Sequence, residues 1–222
     1  MANEPDDEIR EFASPACFMH ELDPAYTGLP PPREEVMRWR KEERARLIAK
    51  RLAVPAAERA AMTEGIVRGL DELLGDPAAR VVSVYWPFRG EPDLRGWMAG
   101  VTARGGICAL PIVREKKAPL VFRAWKEGDR MERGIWNILV PADGPDIRPD
   151  VVIAPLVGFD PACFRLGYGG GYFDRTLATF AEKPLVVGVG YGHQAIATIH
   201  PQPHDIPMDV IVTEAGIAHR RP

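Results

Sequence analysis

Apolar, β-branched segments alternate with helical segments along most of the chain, and this alternation limits the possible folds more than any other feature. Five such segments read as buried strands: VVSVYW, ICALPIV, VVIAPLVGF, PLVVGV and VIVT. A helical stretch near residues 93–104 separates the first two, and another is expected after the glycine-rich loop that follows the third. Strands that are apolar on both faces and separated by helices predict an α/β fold, a three-layer α/β/α, Rossmann-like domain with a mostly parallel open sheet. The segment PLVFRAW adds a strand that is either parallel or antiparallel.

Two regions are expected along the chain. Residues 1–33 form a leader that ends in three consecutive prolines, which favour an extended segment over a helix. Residues 34–222 are expected to form a single domain, since a chain of this size can fold around one core. That domain opens with a helix over 34–52, and a second helix starts at Pro55 and ends at Gly75.

Charge and composition exclude several classes of protein. The formal net charge is -3, so no overall field attracts nucleic acid and no nucleic-acid partner is expected. No segment approaches the roughly 20 apolar residues that span a bilayer, and the acidic amino terminus does not resemble a signal peptide. Cys17, Cys108 and Cys163 are widely separated, which favours neither a disulfide framework nor a structural zinc site. The expected protein is cytoplasmic, without membrane contact.

A glycine-rich loop within RLGYGGGYFDR, residues 165–175, is the strongest signal of a binding site. The residues of this loop that lack a Cβ are Gly167, Gly169, Gly170 and Gly171. Their backbone can take positive φ and approach a ligand closely, and a helix starting near Gly171 would direct its positive dipole end at a phosphate. Arg165, Asp174 and Arg175 add two partners for anions and one for Mg²⁺. The alternative is a tight strand-to-helix turn that needs glycine for its geometry alone.

Three arginines of the first helix fall in one narrow sector at 3.6 residues per turn: Arg40, Arg44 and Arg51. Together with the glycine loop, they are candidates for a shared polyphosphate clamp. The alternative is a solvated charged face balanced by Glu42 and Glu43. The chain carries neither a complete P-loop signature nor a complete GxGxxG, which disfavours P-loop enzymes and Rossmann dehydrogenases.

The element RLGYGGGYFDR is similar to the RLGxGxGYYDR element of the 5-formyltetrahydrofolate cyclo-ligase (methenyltetrahydrofolate synthetase) family. Other segments also resemble that family: YWPFRGEPD, GIWNILVP, APLVGFD, VVGVGYGHQ and PHDIPMDVIVTE. The resemblance runs from about Arg38 to Glu214. It implies an ATP- and Mg²⁺-dependent ligase of one-carbon metabolism, which converts 5-formyltetrahydrofolate into 5,10-methenyltetrahydrofolate, ADP and phosphate.

The resemblance also implies roles for individual residues. Those on the ATP side would be Arg40, Arg44, Gly167, Tyr168, Gly169, Gly170, Gly171 and Asp174. Asp174 would also hold Mg²⁺. Arg165 and Tyr172 would be catalytic, with Arg165 stabilising the transferring phosphoryl group and Tyr172 near the formyl group. Glu91, Trp136 and Tyr172 would line the folate side, where Glu91 accepts hydrogen bonds from the pterin.

Two positions depart from the family pattern. Arg40 stands where the family usually has lysine, so a planar fork replaces a compact ammonium. Phe173 stands where a second tyrosine is commoner, which removes a hydroxyl. These changes leave two alternatives open: a folate-binding or regulatory paralogue with little turnover, and an ATP-dependent transfer on another small metabolite. The leader lies outside the resemblance and is a candidate contact for a protein partner.

Overall fold

The computed structural model describes residues 31–221. All but the last residues of the leader predicted for 1–33 lie outside this part, so the leader remains a prediction. Residues 31–38 hold the first turns of a helix, and residues 39–221 belong to one compact unit. Within the described part, no helix has both the length and the apolar character needed to cross a bilayer.

Residues 31–221 contain four α-helices: α1 Arg33–Ala53, α2 Ala56–Leu74, α3 Arg95–Ala103 and α4 Tyr172–Leu177. The first two agree with the predicted helices to within one residue at each end. Gly75 ends α2 at φ 62° and donates its N–H to the carbonyl of Asp71, as a glycine after a helix commonly does. The fourth helix is only six residues long.

The same residues contain eleven strands: β1 Val81–Ser83, β2 Ile107–Ile112, β3 Val121–Trp125, β4 Met131–Arg133, β5 Leu139–Pro141, β6 Val151–Pro155, β7 Gly158–Phe159, β8 Arg165–Leu166, β9 Leu185–Val189, β10 Val210–Thr213 and β11 Gly216–Arg220. Seven of them form one sheet in the order β11-β10-β9-β6-β1-β2-β3. The five inner strands are parallel, and the two edge strands pair antiparallel with their neighbours. The mostly parallel sheet is confirmed, and PLVFRAW takes the antiparallel option as β3.

The sheet is apolar on both faces because alternate residues of a strand point to opposite sides. In β6, Val151 and Ile153 enter a core with residues of α2 and α3. Val152 and Ala154 enter a second core with residues of α4 and of the β7–β8 hairpin. The second face is therefore covered by the short helix α4, a hairpin and coil.

The direction in which the chain adds strands reverses between β1 and β6. From β1 the chain builds β2 and β3 on one side, and from β6 it builds β9 and β10 on the other. In open parallel sheets, ligands bind in the crevice at the carboxyl ends of the strands where this reversal occurs. The loops that follow β1 and β6 are thus the place to look for a site.

Candidate active site

Arg51 of α1 is hydrogen-bonded to several loops at this reversal point. Its side chain is fully buried, and it donates hydrogen bonds to the carbonyl of Arg89 after β1 (2.9 Å) and of Leu156 after β6 (3.1 Å). Its Nη2 also donates to the hydroxyl of Tyr168 in the glycine loop, at 2.6 Å. The glycine loop therefore lies at the carboxyl edge of the sheet, beside the ends of β1 and β6.

Arg44 contacts the glycine loop directly. Its Nε donates to the carbonyl of Gly167 at 2.7 Å. A Cβ built on Gly169 would come within 3.4 Å of the Arg44 guanidinium carbon, so the guanidinium occupies the space beside this glycine. Burial, followed by the positive charge of Arg40, lowers the pKa of Arg44. No carboxylate in residues 31–221 lies within salt-bridge distance of Arg44, so this half-buried cation is a fitting partner for an anion.

Arg40 is engaged elsewhere, because its buried guanidinium holds residues 199–205. It donates to the carbonyls of Ile199 (2.9 Å) and His200 (3.1 Å) and forms an ion pair with Asp205. The structure thus gives no support to an ATP contact by Arg40. The long arginine side chains diverge from one helical sector to three separate partners, so the structure does not bring them together, and the shared clamp stays a prediction.

The glycine loop has the backbone geometry that the sequence indicated. Gly169 has φ +93° and Gly171 has φ +63°, both in the left-handed region that favours glycine. A Cβ on Gly167 would lie 2.4 Å from Nη1 of Arg165, so this arginine packs where only glycine leaves room. The six-residue α4 begins directly after the loop. Because α4 is so short, its dipole contributes little to binding an anion. The loop N–H groups and the neighbouring arginines are then the main candidates for that role.

Arg165, just before the loop, and Asp174, in the first turn of α4, form a largely buried ion pair. Arg165 Nη2 donates to Asp174 Oδ2 at 3.0 Å, and the backbone N–H of Ile206 donates to Oδ1 at 3.3 Å. The Arg165 guanidinium lies over the ring of Phe173, with its carbon 4.9 Å from the ring centroid. Phe173 also packs against the second core, so the missing tyrosine hydroxyl falls at an apolar position beneath Arg165.

Glu91 is a buried carboxyl group in the loop after β1. Its Oε2 accepts the N–H of Phe88 (2.9 Å), and its Oε1 accepts the hydroxyl of Tyr168 (2.9 Å). Burial raises the pKa of Glu91 to about 7, against the opposing effects of Arg51, the Phe88 amide and the Tyr168 hydroxyl. Glu91 therefore changes its protonation state near neutral pH, as groups at functional sites often do.

Trp136 and Tyr172, both expected on the folate side, lie together. Their rings meet edge to face with centroids 5.5 Å apart. The Trp136 side chain is 58% exposed and its backbone has φ +57°, a conformation that bulky residues rarely adopt. The Tyr172 hydroxyl accepts the backbone N–H of Lys117 at 3.4 Å. The Arg175 guanidinium lies over the Tyr172 ring, with its carbon 5.1 Å from the ring centroid.

Two features of the site escaped the sequence interpretation. Tyr168, assigned to the ATP side with the rest of its loop, turns its hydroxyl to Glu91. Arg51, assigned to a phosphate clamp, is instead an internal support for the loops. Its partners Leu156 and Tyr168 are more than a hundred residues away in the chain, so no local pattern could have revealed them.

Comparison with known proteins identifies the family. The model of the 5-formyltetrahydrofolate cyclo-ligase family matches residues 36–214. The chain belongs to this family. The match begins close to Arg38 and ends at Glu214, as the motifs indicated, and it includes every candidate site residue named above.

Relatives and solved structures agree with this assignment. The 5-formyltetrahydrofolate cyclo-ligase of Escherichia coli K12 is 31% identical over 146 residues, which cover 63% of this chain and 80% of the relative. The Mycolicibacterium smegmatis cyclo-ligase is 28% identical over 188 residues, covering 79% and 94%. The 5,10-methenyltetrahydrofolate synthetase structure from Aquifex aeolicus has a TM-score of 0.70 at 29% identity, covering 82% and 92%. The Mycoplasma pneumoniae synthetase structure, at 20% identity and a TM-score of 0.65 over 79% and 98%, supports the fold alone.

Proposed function

We propose that this chain is an ATP-dependent 5-formyltetrahydrofolate cyclo-ligase, which forms 5,10-methenyltetrahydrofolate, ADP and phosphate. Family membership supports this reaction. The observation that carries it is the glycine loop, which contacts residues of both predicted subsites. Its Gly167 binds Arg44 on the ATP side, and its Tyr168 binds Glu91 on the folate side. A loop with these two contacts is suited to bring a phosphate and a pterin together.

On the ATP side, the loop N–H groups, Arg44 and Arg165 would bind the phosphates. Residues 31–221 contain no group of three or more His, Cys, Asp or Glu side chains that could enclose a metal ion. Mg²⁺ held mainly by phosphates needs only one or two carboxylates, and Asp174 fits that role because each of its oxygens accepts only one hydrogen bond here. When bound, Mg²⁺ would neutralise charge on the phosphates during transfer.

In the proposed reaction, the formyl oxygen attacks the γ-phosphorus of ATP, so a new O–P bond forms as the bond to ADP breaks. The N10 lone pair then attacks the activated formyl carbon and closes the ring. N10 loses its proton, and phosphate departs with the former formyl oxygen. Arg165 would stabilise charge on the transferring phosphoryl group, Tyr172 would contact the formyl group, and Glu91 would accept the pterin N–H groups.

The decisive experiment mixes purified protein with Mg-ATP and 5-formyltetrahydrofolate. We expect the ultraviolet absorbance of a methenyl folate to appear together with ADP, and neither to appear when magnesium is omitted. Folate binding without ADP would favour the regulatory paralogue. ADP release only with another metabolite would favour a different transfer reaction. Neither product at a generous enzyme concentration contradicts the proposal.

Asp174→Asn tests the metal role. The change keeps the shape of the side chain and removes its charge, so kcat should fall by orders of magnitude while the fold persists. Steady-state kinetics at several magnesium concentrations, with circular dichroism, would check this. Asp143→Asn, which removes an exposed carboxylate paired with Arg130, serves as a surface control for the same change of residue type. Normal turnover and magnesium dependence of Asp174→Asn would assign Asp174 to structure alone.

A further inference from the structure

The hydroxyl of Tyr168 carries one proton, and the hydrogen bond that it accepts from Arg51 determines which acceptor receives that proton. Arg51 Nη2 lies 2.6 Å from the hydroxyl oxygen, and a guanidinium can only donate. The oxygen of Tyr168 therefore accepts from Arg51 and directs its own proton to another acceptor. Glu91 Oε1 lies at 2.9 Å, closer than the Phe88 carbonyl at 3.4 Å. The chain of hydrogen bonds thus runs in one direction, from Arg51 through Tyr168 to Glu91.

This direction leaves Glu91 with two defined acceptor positions. One oxygen takes the Tyr168 hydroxyl and the other takes the Phe88 amide. Each carboxylate oxygen has a further lone pair, so the group can still accept two parallel N–H donors. The amidine-like edge of a pterin presents such a pair of donors. A rotated or protonated Glu91 would lose one of the two bonds.

The groups that face Glu91 in residues 31–221 comprise one cation and two tyrosines. Arg51 supplies the positive charge, and Tyr85 and Tyr168 are the other titratable groups. Tyr85 is fully buried and donates its hydroxyl to the Pro92 carbonyl at 3.0 Å. The carboxylate form of Glu91 is therefore favoured electrostatically by Arg51, and by hydrogen bonds from Tyr168 and Phe88.

We propose that Arg51 is a positioning residue of the folate subsite, which acts through the Tyr168 hydroxyl to hold Glu91 as an oriented carboxylate for the pterin edge. This inference rests on the proposed function. Arg51 is placed to act through other residues, because its side chain is fully buried and three of its N–H donors go to two loop carbonyls and to Tyr168.

The inference predicts a selective effect on folate binding. Arg51→Met removes the charge that opposes the effect of burial, so the pKa of Glu91 should rise above its present value of about 7. The acidic limb of kcat/KM for 5-formyltetrahydrofolate should then move to higher pH. At neutral pH its KM should rise roughly tenfold, as for loss of a charge-assisted hydrogen bond, while the KM for ATP changes little. Arg51→Lys keeps the charge without the planar fork. In this variant, the acidic limb should lie at its wild-type pH, but only part of the affinity for 5-formyltetrahydrofolate should be recovered.

The test compares wild type, Arg51→Met, Arg51→Lys, Tyr168→Phe and the Arg51→Met/Tyr168→Phe double variant. The measurements are the KM of both substrates across neutral pH and calorimetric binding of 5-formyltetrahydrofolate without ATP. Because Arg51 acts through Tyr168, the two single effects on folate KM should not add in the double variant. The control is Arg123→Met, which removes a largely buried arginine of β3 that donates to the carbonyls of Pro141 and Ala142, outside the candidate site. It should lower the melting temperature without moving the acidic limb.

With an active wild type, two results would overturn the inference. An Arg51→Met protein that is folded and shows equal changes in both KM values, with an unmoved acidic limb, would make Arg51 a structural residue only. If Arg51→Met does not fold, Tyr168→Phe alone decides, since Tyr168 is 41% exposed and loses only a hydroxyl. An unmoved limb in Tyr168→Phe would then count against the inference. A wild type that neither binds nor converts the folate refutes the proposed function, and the inference with it, whereas an active wild type isolates the role of Arg51.

Discussion

At the level of single residues, the charges around the glycine loop differ in whether the protein itself neutralises them. Arg40 pairs with Asp205, and Arg165 pairs with Asp174. Arg44 is half-buried and has no carboxylate partner in the described residues. A partly desolvated cation without a counter-ion is costly to the folded protein. A bound polyphosphate would recover that cost, which makes Arg44 the clearest candidate among the helix arginines for an ATP contact.

Arg44→Ala should weaken the use of ATP. Losing a charge-assisted hydrogen bond costs roughly 1.5 to 3 kcal/mol, so the KM for ATP should rise about ten- to a hundred-fold. The matched control is Arg46→Ala, which removes an exposed arginine of the same helix that pairs with Glu43. Steady-state kinetics of both variants would check the difference. Equal ATP kinetics in the two variants would remove Arg44 from the ATP site.

Glu91→Gln should make the protein more stable at alkaline pH and less able to bind folate. The pKa of Glu91 is about 7 in the folded protein, above its ordinary value of 4.5. The folded state therefore binds this proton more tightly than the unfolded state does, and stability falls as pH rises between these two values. Above pH 7 the loss is on the order of 3 kcal/mol.

The check is the free energy of unfolding in urea for wild type and Glu91→Gln, measured below pH 4.5 and above pH 7. The amide cannot ionise, so the variant should gain stability relative to wild type only on the alkaline side. A difference between the two proteins that does not change with pH would contradict the raised pKa of Glu91.

At the level of elements, helix α1 and the glycine loop form one functional unit. Arg44 and Arg51 of the helix bind Gly167 and Tyr168 of the loop. Leu47 of α1 lies in a small apolar cluster with Leu166, immediately before the loop. The polar contacts thus flank an apolar contact, and the helix fixes the loop from one end to its centre.

Gly169→Ala should raise the KM for ATP sharply. Its φ of +93° is unfavourable for alanine, and the added methyl would contact the Arg44 guanidinium. Gly128→Ala is a matched control, because Gly128 has φ +89° and open space around it. Both variants should lose similar stability from backbone strain, but only Gly169→Ala should change ATP kinetics. Unchanged ATP kinetics in Gly169→Ala would favour a turn that needs glycine for its geometry alone.

At the level of the whole molecule, the sheet places the site where its order reverses. The strands β1 and β6 are neighbours in the sheet but far apart in the sequence, and their following loops carry Glu91 and Leu156. Arg51 donates a hydrogen bond to a backbone carbonyl in each of these loops. The site therefore depends on the topology of the complete sheet as well as on its local motifs.

Removing residues 1–32 should leave turnover within a few-fold of the full chain. The family match begins at residue 36, and the candidate site residues all lie after it. Solubility is the property most open to change, since the removed segment contains several apolar residues. Kinetics, melting and circular dichroism of the truncated protein would check this. A folded but inactive truncation would assign the leader to the active site.

The sequence predicted those features that depend on local chemistry. The spacing of apolar residues and the residue types were enough to predict the bounds of α1 and α2, the parallel strands and the positive φ of Gly169. The directions of Arg40, Arg51 and Tyr168 do not, because helical spacing places a side chain in a sector without naming its partner. The length of α4 also escaped prediction, since no proline or glycine marks its end between Leu177 and Phe180.

The span of the contacts made by α1 has a consequence for biosynthesis. The helix is synthesised before its partners, because Arg44 and Arg51 bind Gly167, Tyr168 and Leu156, and Arg40 pairs with Asp205. At about 5 to 20 residues per second, translation from the helix to its last partner takes roughly ten to thirty seconds. During that interval the nascent chain carries an arginine-rich helix without its final partners. The contacts that close the candidate site therefore form only after residue 205 has been synthesised.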